Sequence, residues 1–150
     1  MYNIELSNLT LAEAQNRILG AVENICDTYH LDEQFGTISY GMHELVSLLE
    51  RCSDSQEKEF TVNFYIEQDR LSVQVLNADH LNEVYQQLEK ATLNDADTTA
   101  FTVNALTDSY ELKDNGNELW LDIMAAPTFD TINRAEILKK ETIRNKTMAN

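Results

Sequence analysis

The chain has 150 residues, 43% hydrophobic and 8% aromatic, enough to bury a core and too apolar for a disordered polymer. Its net charge of −15 argues against nucleic acid and anionic membrane surfaces, which are held by Lys and Arg, and favours a basic partner. No apolar run is long enough to span a bilayer and the start, MYNIELSNL, lacks the parts of a secretion signal, so a soluble cytoplasmic protein is expected.

Residues Tyr2 to Leu6 alternate weakly, as an edge strand does. Thr10-Leu-Ala-Glu13 reads as a capping box opening a first helix, with Leu11, Ala14, Ile18, Ala21, Ile25 and Tyr29 on its apolar face. LDEQFGT turns the chain into a second helix over Gln34 to Arg51, striped by Met42, Leu45, Val46, Leu49 and Cys52. The polar SDSQEK is a loop. Phe60, Val62, Phe64 and Ile66, then Leu71, Val73 and Val75, alternate with polar residues and predict a half-buried strand pair joined near Gln68-Asp69. Helical spacing returns over Asp79 to Lys90, and a further helix is expected over Asp95 to Thr107. The last hairpin turns at Asn115-Gly116, which supplies the two positive φ angles of a type I′ turn. A charged helix over Phe129 to Arg144 follows Pro127.

These elements predict a two-layer α/β (α+β) sandwich. A sheet of about five strands, mixed but largely antiparallel, carries helices on one face and leaves the other to water. Residues 1–126 form the domain and 127–150 a charged tail, mildly basic on an acidic body. On the outer sheet face Tyr65 and Trp120 either anchor a partner or lie under the tail. Cys26 and Cys52 fall in helices without CxxC or histidine spacing, so reduced buried thiols are expected and no metal site is.

From Phe35 to Met124 the order helix, strand pair, helix, helix, strand pair resembles the histidine-kinase-like ATPase superfamily, in particular its anti-sigma-factor-kinase branch. The resemblance implies a Mg-ATP site built from three boxes. In GMHELVSLLERC, Glu44 stands at the position of the catalytic Glu. Leu48 stands where an Asn would ligate Mg²⁺, with Ser47 about 100° away around the helix. In Asn77-Ala78-Asp79-His80-Leu81, Asn77 replaces the adenine-binding Asp, while Asp79 and Leu81 replace both glycines. The lid glycine is replaced by Thr99 or Ala100. The degenerate nucleotide pocket would thus consist of Asn77, Asp79 and Thr99, with Glu44 catalytic only in an active enzyme.

Three functions compete. One is a non-catalytic regulatory or adaptor module without cofactor, binding a regulatory protein or a second copy of itself, with the first helix as a candidate interface. Another is a divergent Mg-ATP-binding serine kinase or ATPase using Glu44. The third is a phosphotransfer protein in which His43 is the nucleophile and Glu44 its orienting base. Outside catalysis, Glu44 is a solvated helix residue, Asn77 and Asp79 are caps for the helix that follows, and Thr98 and Thr99 cap the next one.

Overall fold

A computed structural model describes residues 2–67, 70–92 and 97–123. Strand β1 (Tyr2–Leu9) leads into helix α1 (Leu11–Tyr29), a single short turn (Asp32–Gln34) and helix α2 (Phe35–Cys52). Strands β2 (Phe60–Ile66) and β3 (Leu71–Leu76), helices α3 (Leu81–Lys90) and α4 (Thr99–Leu106), and strands β4 (Ser109–Lys113) and β5 (Glu118–Ile123) follow.

The five strands form one open sheet in the order β1-β2-β3-β5-β4, every neighbouring pair antiparallel. The expected mixed character is therefore absent among the described residues. The hairpins β2–β3 and β4–β5 dock on each other through β3 and β5. Strand β1 returns to the edge beside β2, three residues longer than its weak alternation suggested. The register shifts between Leu6 and Leu9, where Asn8 takes a left-handed φ of 55°. This irregularity turns Leu9 inward to full burial.

Period-two alternation sends Phe60, Val62, Phe64, Leu71, Val73, Val75, Leu119 and Leu121 to one face. There they meet the stripes of the four helices in a single core. Helix α1 buries Leu11, Ala14, Ile18, Ala21 and Ile25 as its spacing required, and adds Val22 and Cys26, while Tyr29 is half-buried. Helix α2 adds Ile38 and Leu48 to its expected stripe.

The helix ends differ from the expected caps. Thr10 is the N-cap of α1, but its side chain makes no capping bond; its carbonyl accepts the N–H groups of Glu13 and Ala14. At the other end His30 is left-handed and the Leu31 N–H donates to the Cys26 carbonyl at 2.8 Å. That is a Schellman closure with a non-glycine residue, and Cys26 and Leu31 are both buried beneath it. Helix α3 starts at Leu81, not Asp79, because His80 is left-handed with φ of 53°. Helix α4 is shorter than the expected 95–107; residues 93–96 lie outside the described residues.

The last hairpin turns at Asn115-Gly116 as predicted, with Asp114 left-handed as well, φ 52°. Asn115 and Gly116 have φ of 54° and 89°, and the Asn117 N–H donates to the Asp114 carbonyl at 3.0 Å. The expected Gln68-Asp69 turn and the 129–144 helix lie outside the described residues. Among the described residues no helix is long and apolar enough to cross a membrane.

Candidate functional site

Glu44, Asn77, Asp79 and Thr99 stand where the resemblance would expect a nucleotide site, and the fold spreads them over α2, the β3–α3 connection and the start of α4. Glu44 is half-buried at the middle of α2. One turn on, Leu48 has 0% exposure and is a core residue. From Glu44 to Ser53, the residue that caps the end of α2, the helix climbs about 13 Å, and Asp79 is bound at that far end. Thr99 opens α4, where its N–H donates to Asp97 Oδ1 at 2.9 Å. Asn77 is exposed at the end of β3 in the left-handed region, φ 66°. No hydrogen bond or ion pair among the described residues joins any two of Glu44, Asn77, Asp79 and Thr99.

Neither Asp79 nor Asn77 caps α3, whose N-cap is His80 with no side-chain capping bond. Asp79 reaches backwards instead, to the loop between α2 and β2. Its carboxylate accepts from Lys58 Nζ at 2.6 Å, Ser53 Oγ at 3.2 Å and the Asp54 N–H at 3.3 Å. The Lys58 ammonium, first among these contacts, holds the Asp79 carboxyl below its ordinary range against the opposing effect of burial. A second tie runs from His80 Nε2 to Asp54 Oδ2 at 2.7 Å. The hydrogen bond to Asp54, then its charge, raises the His80 pKa. Leu81, at the second glycine position, is 2% exposed in the core.

Thr98 and Thr99 make no side-chain cap on α4 either. Asp97 takes that role, accepting the Thr99 N–H while pairing with Arg51 of α2. Sequence reading missed Ser53, Asp54, Lys58 and Asp97. Their signal was weak because each is a charged or hydroxyl residue in a polar loop, where that composition is ordinary.

Beside this cluster a polar cleft of about 530 Å³ opens between the start of α3 and the β4–β5 turn, lined by Lys58, Asp79, His80, Asn82 and Asn115. A second groove, about 370 Å³, runs between α1 and α2. It contains the two large apolar side chains most open to solvent among the described residues, Leu19 at 40% and Tyr40 at 52%. Gln15 Nε2 crosses it to the His43 carbonyl at 3.1 Å. His43 itself is exposed on α2. Both apolar residues lie off their helix stripes, and that offset was the available signal.

The outer sheet face carries two polar clusters. Asn63 Nδ2 and Tyr65 Oη both donate to Gln74 Oε1 at 3.0 Å. Tyr65 stacks on Trp120 with centroids 5.5 Å apart, and Lys113 sits 4.8 Å over the Trp120 ring. Asp122 accepts from Ser72, Ser109 and Arg70. Burial alone would push the Asp122 carboxyl up; these donors outweigh it and hold the group below its ordinary range.

Among the described residues no group of three or more His, Cys, Asp or Glu side chains is arranged to hold a metal ion. No protein-family model matches this chain, and no curated protein matches it.

Proposed function

We propose that this chain is a non-catalytic regulatory or adaptor protein on a degenerate histidine-kinase-like ATPase scaffold, acting by protein–protein contact in bacterial-type cytoplasmic signalling. One observation carries the reading. Leu48 and Leu81, at the positions of the metal-ligating Asn and a phosphate-loop Gly, are 0% and 2% exposed inside the core. A buried leucine neither ligates a hard cation nor lets backbone approach a phosphate. Asp79, at the other glycine position, is committed to Lys58, Ser53 and Asp54. The order of elements from α2 to β5 supports the scaffold part of the reading.

The α1–α2 groove is the surface offered to the partner. Leu19 and Tyr40 supply apolar contact, and Tyr is frequent among interface anchors. The acidic chain selects a basic regulatory protein, and a second copy is the competing occupant. Calorimetry with Mg-ATP and with ADP tests the non-catalytic part; no heat of binding is expected at millimolar nucleotide. Micromolar binding overturns it and makes Glu44→Ala the next variant, since turnover lost there identifies a divergent ATPase or kinase. Sedimentation of the wild type beside the full-length L19E/Y40E variant tests the groove. Self-association abolished by the variant identifies a second copy as occupant.

A further inference from the structure

The outer face of the sheet is more deeply buried than the described elements account for. Asn63, Ser72 and Gln74 each retain only 7% exposure. All three alternate with core residues and therefore point away from the helices. The described helices pack on the opposite face. Asn63 Oδ1 is also buried with no hydrogen-bond partner, an acceptor that calls for a donor arriving from outside the sheet.

The charge of this face defines what would cover it. Glu5, Glu111, Glu118 and Asp122 lie on it by strand register, against Lys113 and, at the strand end, Arg70. Tyr65, Trp120 and Leu76 add an apolar strip on the same side. A segment that is cationic, carries spaced apolar residues and starts next to the face meets these demands.

We propose that residues 124–150 of this same chain dock on the outer sheet face and form its second layer. The segment leaves directly from Ile123, the end of the strand that carries Trp120 and Asp122. It holds Arg134, Lys139, Lys140, Arg144 and Lys146 against Asp130, Glu136 and Glu141, in a chain whose net charge is −15. Phe129, Ile132, Leu138 and Ile143 supply apolar contacts for the Tyr65–Trp120 strip. Its length suffices: five strands make a face about 19 Å wide, which a helix crosses in about 13 residues. The docking is electrostatically assisted, so it weakens as salt shortens the screening length. It does not depend on the proposed loss of nucleotide binding or on the α1–α2 groove.

Two measurements on the full-length chain test the docking. Trp120 is the single tryptophan, so acrylamide quenching reports its cover without a label. The quenching constant is expected to rise severalfold in K139E/K140E/R144E, with the far-UV circular dichroism of the folded domain retained. The wild-type protein is also treated with a zero-length carbodiimide cross-linker in an equal mixture of ¹⁴N and ¹⁵N chains. Links from Lys139 or Lys140 to Glu5, Glu111 or Glu118 are expected within single chains. Links that join unlike labels overturn the proposal in favour of a second copy. It is equally overturned by the absence of those links, or by a Trp120 that is quenched alike in both proteins.

Discussion

Replacing Leu48 by asparagine separates the two readings of α2, because it restores the residue the resemblance expects at a position the fold treats as core. Leu48 has 0% exposure and shares the core with the other α2 residues and the inner sheet face. Truncating such a leucine to alanine costs about 3–5 kcal/mol through lost transfer energy and the cavity left behind. Asparagine leaves a similar void and adds a buried amide without partners, a further penalty of about 1–3 kcal/mol. The expected loss for Leu48→Asn is therefore about 4–8 kcal/mol, comparable to the whole stability of a marginal domain. Leu48→Met, which keeps volume and polarity, should cost less than about 1.5 kcal/mol. Urea unfolding followed by far-UV circular dichroism reads both, with the slope checked for constancy. If Leu48→Asn lost less than about 1 kcal/mol, the side chain would not lie in a packed interior. A gain of Mg-ATP binding on top of that would place Leu48 in an open nucleotide pocket and sink the reasoning.

Gly20 lies within α1, and a Cβ added there would meet nothing within 4 Å, so Gly20→Ala should stabilise by about 0.5–1 kcal/mol through helix propensity alone; a loss on thermal unfolding refutes the open placement. At Gly116 a Cβ also has room, its nearest neighbour being Leu112 at 3.9 Å, but φ is +89°. Gly116→Ala should therefore destabilise by about 1–2 kcal/mol from backbone strain, and a neutral result would mean the turn relaxes to another type. The His80 pKa is raised, chiefly by Asp54, so the His80–Asp54 tie contributes fully below the ordinary value of 6.5 and is lost as pH rises through the raised folded value. Proton NMR of the His80 ring should show the titration returning toward 6.5 in Asp54→Asn, and an unchanged midpoint would dissociate the pair. Burial first, then Asp32 and Asp27, pushes the Cys26 thiol up to about 11. Both thiols should then react with a disulfide reagent only at the rate of unfolding, and fast labelling of the native protein would contradict their burial.

Local periodicity made the architecture legible. The alternation of Phe60 to Ile66 and of Leu71 to Val75, and the stripes of α1 and α2, fixed which side chains face inward, because a two-residue and a 3.6-residue repeat each select one face. Asn115-Gly116 fixed the last turn, since its positive φ angles are inexpensive only for such residues. The capping residues were less legible. Thr10, Asp79 and Thr98 have the right chemistry and the right offsets, yet none uses its side chain to cap. Asp79 is drawn away by Lys58, distant in sequence but brought near by the α2–β2 loop.

Element order, the inward faces and the turn at Asn115-Gly116 were written in the chain itself, because residues within one or two turns of each other carry them. Long-range packing settled the rest. It brought β1 back antiparallel to the edge of the sheet, set Leu48 and Leu81 in the core, neutralised Asp79 with Lys58, and left Leu19 and Tyr40 open between two helices. Each of those depends on which distant segment arrives beside a side chain, and burial, ion pairing and exposure are properties of that meeting, not of the residue alone.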